Sequence, residues 1–135
     1  MDEVFKKIYE TVLELKSIRR IPQLLFISSV VPEATGLVRD VILDFKKLNP
    51  DIKEIDFIIQ SSGGSPDDAY RIIRNLRKNF ENVNIIVPFW AKSAATLLSL
   101  GGSNIIMDEF GEFGPLDMQL EKDIVTFLEQ KLKAP

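Results

Sequence analysis

Hydrophobic and polar residues follow a helical spacing at the start of this chain. Phe5, Ile8, Val12 and Leu15 recur at intervals of three and four residues, and most of the charged residues fall between them. This spacing puts the apolar side chains on one face, which predicts an amphipathic helix over residues 4–18. Because its charges are of mixed sign, we expect the helix to pack on a partner surface rather than lie on a membrane.

A second helical pattern covers residues 35–48, where apolar residues again recur every three or four positions. Thr35 is the predicted cap, because threonine side chains accept hydrogen bonds from the first backbone N–H groups of a helix. The turn-forming residues Asn49, Pro50 and Asp51 are expected to end this helix.

Four short apolar runs predict strands. They cover residues 24–27, 55–60, 84–88 and 104–107. The run at 24–27 is expected to be a buried strand, because its apolar residues do not alternate with polar ones.

The segments between and after these strands have helical or turn-like patterns. They predict helices over 66–78, 92–100 and 117–133, a turn at 89–91 and a loop at 111–115. Ser65 and Pro66 are the predicted cap and first residue of the 66–78 helix. The alternation predicts an α/β fold of repeated βαβ units, with a mainly parallel sheet and flanking helices.

The composition fits one globular domain. The chain has 135 residues, of which 45% are hydrophobic and 27% charged, so we predict a single domain over residues 1–135. No apolar run approaches the length of a membrane-spanning helix, and the charged N-terminus is unlike a signal peptide. We expect a cytoplasmic protein, and this chain gives no indication of membrane association.

The residue types that are absent restrict the chemistry. The chain contains neither histidine nor cysteine, which excludes a Ser-His-Asp triad within one chain, a thiol nucleophile and a zinc-thiolate site. No tight carboxylate cluster points to a metal ion, and we expect no cofactor. The net charge of −3 is opposite to what a nucleic-acid partner requires, so none is expected.

One candidate site is the run Ser61, Ser62, Gly63 and Gly64, which connects a predicted strand to a predicted helix. Glycine permits positive φ and close approach of another group, and the N–H groups at a helix start favour an anion. The run therefore predicts a place for a phosphate, a carboxylate or a developing oxyanion. The alternative is a tight turn with no ligand.

The second candidate is Ser93, which stands between a predicted strand and a helix of small, apolar residues. A serine at this point exposes its Oγ at the carboxyl edge of the sheet, as at a nucleophile elbow. The simpler alternative is a serine N-cap. If the two strands are adjacent and parallel, the two turns place backbone N–H donors from Gly64 and Ala94 around one oxyanion position beside Ser93.

Three stretches of the chain have the order and spacing of known motifs. Residues 55–64 (Ile-Asp-Phe-Ile-Ile-Gln-Ser-Ser-Gly-Gly) resemble a strand ending in Ser-Pro-Gly-Gly, and residues 91–96 (Ala-Lys-Ser-Ala-Ala-Thr) resemble a nucleophile helix. Residues 111–119 resemble a Leu-Gly-Pro-Ile-Asp-Pro-Gln segment. Together they resemble the ClpP–crotonase superfamily, most closely its SppA-like and serine dehydrogenase proteinase-like branch. The resemblance implies a ClpP/crotonase-like fold, a homo-oligomer, and an ATP-independent serine peptidase that acts on a peptide or protein substrate.

The resemblance also implies roles for individual residues. Ser93 matches the nucleophile, and the N–H groups of Gly64 and Ala94 match the oxyanion hole. Gly64 and Ser93 are 29 residues apart, which agrees with the ClpP pattern. Ser62 stands where the motif usually has proline, and Met118 stands where ClpP has its histidine. The histidine base therefore does not carry over.

The general base is expected to be a lysine, as in the SppA-like branch. Lys122, Lys131 and Lys133 follow the serine, but their pattern is that of solvated surface residues. Lys92 is interpreted as a solvent or partner contact, because neighbouring helical side chains diverge by roughly 100°. The base otherwise comes from a second subunit or from sequence that this chain lacks, since members of the branch are usually considerably longer.

Two further features have more than one interpretation. Phe89 and Trp90 either line a substrate groove or pack in the core. Asp117 either orients the base or caps the helix that follows.

Three functions fit the sequence. The first is a serine peptidase that uses Ser93 with a lysine base. The second is an oligomeric interaction module that keeps the fold without catalysis, which the missing histidine favours. The third is a crotonase-type acyl-CoA enzyme, which also uses backbone oxyanion donors but needs carboxylates near the glycine turn.

Overall fold

The computed structural model describes residues 2–116 and shows an α/β fold. Its elements in chain order are α1 (Glu3–Arg19), β1 (Gln23–Ile27), α2 (Pro32–Leu48), β2 (Glu54–Gln60), α3 (Pro66–Asn79), β3 (Asn82–Val87), β4 (Trp90–Ala91), α4 (Ala94–Leu100), β5 (Asn104–Met107) and β6 (Glu112–Phe113). Each helix and strand predicted within this range is present. The predicted helix at 117–133 lies outside the described residues, as do Asp117, Met118, Lys122, Lys131 and Lys133.

Four strands form one parallel sheet in the order β1-β2-β3-β5. Helix α2 packs beside α3, and α3 packs beside α4, so the helices that connect these strands lie together on one face. This architecture confirms the predicted α/β fold with a mainly parallel sheet and flanking helices. The loops that follow β2 and β3 leave the sheet at its carboxyl edge, where ligands bind in open parallel sheets.

The core lies between the sheet and these helices. Phe57 and Ile59 of β2 and Ile85 and Val87 of β3 alternate along their strands and are fully buried. Successive side chains of a strand point to opposite faces, so these four belong to the same face. Burying each such side chain contributes about 1.5–3 kcal/mol, which fixes the two central strands that lead into the candidate site.

Strand β1 differs from the prediction of a buried strand. Only Phe26 is buried, whereas Leu25 and Ile27 remain 39% and 54% exposed. The reason is its position, because β1 is an edge strand that pairs with β2 alone. The prediction of burial is therefore wrong for Leu25 and Ile27, whereas Leu24 is half-buried and packs against the core.

The opposite face of the sheet carries a row of hydrogen-bonded polar residues. Asn84 donates to the fully buried carboxylate of Asp56 over 3.0 Å, and Asn104 donates to Asn84 over 2.9 Å. Arg19, the last residue of α1, donates two N–H groups to the same carboxylate. That hydrogen bond raises the pKa of Arg19, an effect that partial burial opposes. The ion pair holds the end of α1 to the sheet, although no residue of α1 is buried.

The helix caps show one correction and one confirmation. Helix α2 begins at Pro32, whose fixed φ suits a first helical residue, so Thr35 as the cap is wrong. The Thr35 hydroxyl instead contacts Val31 O at 3.1 Å and an Asp68 carboxylate oxygen at 3.0 Å. For α3, the predicted cap is confirmed, because Ser65 Oγ accepts a hydrogen bond from Asp68 N over 3.2 Å.

The connections near the carboxyl edge contain more structure than predicted. The segment predicted as a turn at 89–91 includes β4, and the loop predicted at 111–115 includes β6. These two short strands pair in parallel, Trp90 with Glu112 and Ala91 with Phe113. Two residues are too few to show the alternation that predicts a strand, so these strands can be identified only from their pairing in the structure.

None of the helices between residues 2 and 116 combines the length with the apolar composition that crossing a bilayer needs.

Candidate functional site

The two predicted turns lie side by side because the residue that follows β2 bridges to β4 at the carboxyl edge. Ser61, just after β2, forms a parallel bridge with Ala91 of β4. The Ser61 N–H donates to Trp90 O over 3.3 Å, and the Lys92 N–H donates to Ser61 O over 3.0 Å. These bonds bring the glycine turn and the serine turn into the adjacency that the sequence predicts.

Ser93 occupies a tight turn with an uncommon backbone conformation. Ala95 N–H donates to Lys92 O over 2.9 Å, which closes the turn. The φ of Ser93 is +50° and its ψ is −122°, the values of the first central residue of a type II′ turn. Glycine, asparagine and aspartate dominate that position, and such a conformation in another residue costs about 1–3 kcal/mol. Backbone strain of this kind clusters at functional sites.

The alternative that Ser93 is an ordinary N-cap does not fit this geometry. A capping serine has an extended backbone, and its oxygen accepts a hydrogen bond from the first helical turn. Ser93 precedes α4, but its side chain makes no capping hydrogen bond and its φ is positive. Among residues 2–116, no hydrogen-bond partner of the Ser93 hydroxyl is found. The side chain is therefore not accounted for by the local structure of the helix.

Gly63 fits against the serine turn. Its φ is +103°, and a Cβ at this position would lie 2.7 Å from Lys92 O, 2.9 Å from Ser93 Cβ and 3.2 Å from Ala94 N. Only glycine allows this approach without displacing the backbone of the serine turn. The positive φ and the close approach agree with what the glycine run predicts, but the contact of Gly63 with the serine turn could not be predicted from the sequence.

Gly64 lies against a different element, the segment that follows β1. Its φ is +148°, and a Cβ there would lie 2.2 Å from Val30 O. The flanking residues fix this contact, because Val30 N–H donates to Gly63 O and Ser65 N–H donates to Val30 O, each over 2.8 Å. The glycine turn is therefore held between the segment that follows β1 on one side and the serine turn on the other.

The predicted oxyanion donors have N–H groups that the backbone leaves available. Ala94 is the first residue of α4, so its N–H has no acceptor within the helix. No hydrogen bond within the described part of the chain uses the N–H of Ala94 or of Gly64. The structure thus brings Ser93, Ala94 and the glycine turn together at one edge of the sheet.

The Lys92 ammonium group pairs with an acidic residue rather than with Ser93. Its Nζ lies 2.6 Å from a Glu112 carboxylate oxygen, and its stem crosses Gly114, where a Cβ would lie 2.6 Å from Lys92 Cδ. The ion pair agrees with the interpretation of Lys92 as a surface contact rather than the base. Thr96, one turn into α4, ties the same region together through its hydroxyl, which donates to Ala91 O over 2.6 Å.

Phe89 and Trp90 do not belong to the core. Their side chains are 53% and 40% exposed, and their ring centroids are 6.3 Å apart. Of the two interpretations offered by the sequence, packing in the core is therefore wrong. The pair forms an exposed aromatic surface at the start of β4. It lies shortly before Ser93 in the chain.

Metal ligands are not gathered in the described part of the chain. Across residues 2–116, no group of three or more acidic side chains comes together in a way that could hold a metal ion.

Ser93→Gly is expected to raise the free energy of unfolding by about 1 kcal/mol. Glycine relieves a strain of about 1–3 kcal/mol. It also gives the unfolded chain more conformational freedom, which lowers the free energy of unfolding by roughly 0.5–1 kcal/mol. Urea denaturation of the two proteins measures the difference. An N-capping Ser93 would give the opposite sign. Ser29→Gly, at an exposed loop serine without positive φ, is the matched control and is expected to give no gain.

The sequence is also similar to known proteins. The family model described as ClpP-like SDH-type serine proteinase matches residues 14–133. Uncharacterized protein MJ0137 of Methanocaldococcus jannaschii is 40% identical over 86 residues, which cover 61% of this chain and 30% of that protein. Uncharacterized protein MJ1495 of the same organism is 33% identical over 74 residues, or 55% of this chain and 25% of that protein. The chain spans less than a third of the length of these curated relatives.

Proposed function

The chain belongs to the ClpP-like SDH-type serine proteinase family, and from this premise we propose that it hydrolyses peptide bonds through Ser93. The observation that carries the proposal is the backbone of Ser93, which has a positive φ in a tight turn packed against Gly63. Strain of this kind persists only where the surrounding structure enforces it. Here it directs a serine without a structural hydrogen bond to the carboxyl edge of the sheet.

In the proposed reaction, Ser93 Oγ attacks the carbonyl carbon of the scissile peptide bond and gives its proton to a base. The carbonyl oxygen becomes an oxyanion that accepts hydrogen bonds from the N–H groups of Gly64 and Ala94. Collapse of the tetrahedral intermediate breaks the C–N bond, and the amine leaves with the proton. Water then attacks the acyl-enzyme by the same route and regenerates the Ser93 hydroxyl.

The base in this proposal is a lysine other than those in residues 2–116 of the chain that supplies Ser93. Lys92 is engaged with Glu112, and no other lysine among the described residues donates to Ser93. The candidates are Lys122, Lys131 and Lys133, a lysine of a second subunit, or a lysine of a longer chain. We propose a homo-oligomer as well, which agrees with an α1 that buries none of its apolar residues within the described structure.

A fluorophosphonate probe tests the proposal directly, because it reacts with an activated serine hydroxyl and remains bound. We expect the folded, full chain to gain the mass of one probe on the peptide that contains Ser93. Ser93→Ala is expected to abolish labelling. Ser29→Ala, at an exposed serine on another loop, is expected to label like the parent protein. A folded protein that takes up no probe, or takes it up equally in Ser93→Ala, would contradict the proposal.

A second candidate function is an oligomeric interaction module without catalysis. The observation in its favour is that no base contacts the Ser93 hydroxyl among the described residues. It predicts a folded chain that fails to label at any probe concentration, together with a stable oligomer.

A further inference from the structure

A groove of about 750 Å³ lies between α3 and α4. The residues that line it include Tyr70, Arg74, Arg77, Lys78, Leu97 and Leu100. Two of its apolar side chains, Leu97 and Leu100, are 40% and 54% exposed. Exposed apolar surface that is framed by polar residues is typical of binding sites.

The rim of the groove is positively charged. Arg74, Arg77 and Lys78 lie on one side of α3, because residues separated by three or four positions share a helix face. None of these cations lies within ion-pair distance of a carboxylate in the described part of the chain. Arg77 donates only to Gly101 O, over 3.3 Å. In a chain with a net charge of −3, this cluster calls for an acidic occupant.

The groove starts near the candidate site. Helix α3 begins just after the glycine turn and α4 begins just after Ser93, so both helices lead away from the carboxyl edge of the sheet. Tyr70 lies about 6 Å along α3 from its first residue, and Leu97 lies about 4.5 Å along α4 from its first residue, at a rise of about 1.5 Å per residue. Lys78 lies about 12 Å beyond Tyr70. That length accommodates roughly four residues of an extended peptide.

We propose that this groove binds an acidic, apolar segment of the peptide substrate, several residues away from the bond that is cleaved. The proposal rests on the proposed peptidase function, since it names the class of substrate that Ser93 would receive. Apolar side chains of the segment pack on Leu97 and Leu100, and its carboxylates face Arg74 and Lys78. Substrates rich in glutamate and leucine are therefore preferred over basic ones.

The first helix of a second copy fits the groove less well. The acidic residues Glu3, Glu10 and Glu14 of α1 are spaced by seven and four positions, so they share one face. Ile8, Val12 and Leu15 of α1 lie on the other face. A helix with its apolar face in the groove would turn its carboxylates away from the cations.

Fluorescence anisotropy with the catalytically disabled Ser93→Ala full chain tests the docking site. The probe is a fluorescein-labelled ten-residue peptide of Glu-Glu-Leu-Leu repeats, in which each face of the extended chain carries both residue types, compared with the same peptide carrying lysine for glutamate. We expect the double variant Arg74→Glu and Lys78→Glu to bind the acidic peptide at least about 10-fold more weakly. The matched control, Arg39→Glu and Lys47→Glu on exposed positions of α2, changes the charge equally and is expected to bind within about twofold of the parent.

Several outcomes would overturn the docking site. They are equal affinity in the two double variants, equal affinity for the lysine peptide, and binding of a peptide of residues 2–20 at this groove in place of the acidic one. Because binding is measured without Ser93, it stays separate from catalysis. If the fluorophosphonate probe labels the parent protein but the acidic peptide does not bind in the groove, only the docking site is contradicted. If the acidic peptide binds in the groove but the probe does not label Ser93, the peptidase function is contradicted and a docking site for acidic peptides remains.

Discussion

Ser93→Ala is expected to abolish peptide hydrolysis while leaving the fold intact. Removing the nucleophile of a serine hydrolase lowers the rate by at least about a thousandfold, because no other group forms the acyl-enzyme. Stability is expected to stay within about 0.5 kcal/mol of the parent. The Ser93 hydroxyl forms no hydrogen bond with the described residues, and alanine keeps the Cβ that strains the turn.

The measurement is turnover of a quenched fluorescent peptide by the purified full chain, with urea denaturation of each variant alongside. Ser29→Ala is the matched control and is expected to keep the parent rate, since Ser29 is an exposed serine of another loop. Hydrolysis that survives unchanged in Ser93→Ala would show that the nucleophile lies elsewhere. A comparison with Ser93→Gly separates strain from chemistry, because both variants lose activity but only glycine is expected to gain stability.

Gly64→Ala is expected to lower the free energy of unfolding by about 3 kcal/mol or more. The added Cβ would lie 2.2 Å from Val30 O. This oxygen belongs to the backbone and takes part in a bridge, so it cannot move aside as the end of a flexible side chain could. The φ of +148° at Gly64 adds strain for any residue with a Cβ. The change also displaces the N–H that the proposal assigns to the oxyanion, so labelling of Ser93 is expected to fall with stability.

Gly36→Ala is the matched control for this effect, and its sign is expected to be opposite. Gly36 lies inside α2, and no atom lies within 4 Å of a Cβ built there. Alanine in a helix interior is more stable than glycine by about 0.5–1 kcal/mol. Urea denaturation of both variants measures the two changes. A Gly64→Ala protein that unfolds at the same urea concentration as the parent would contradict the tight approach to Val30.

The sequence alone determined the elements that depend on local chemistry. Ser65 and Pro66 begin α3 as predicted, because a cap and a fixed φ act over a few residues. The alternation of apolar runs and helical patterns likewise predicted the parallel α/β fold. The pairing of the glycine turn with Ser93 followed from that order, since the carboxyl ends of parallel strands share one edge.

Tertiary structure decided every feature that depends on a distant partner. Thr35 was predicted as a cap, but its hydroxyl reaches Asp68 on the next helix. Strand β1 has an apolar run typical of a buried strand, but at the edge of the sheet its Leu25 and Ile27 side chains are exposed. Gly63 and Gly64 are indistinguishable as sequence letters, and the fold puts one against Ser93 and the other against Val30. Spacing along the chain fixes which residues share a face, whereas contacts across the sheet depend on register and packing that no local pattern encodes.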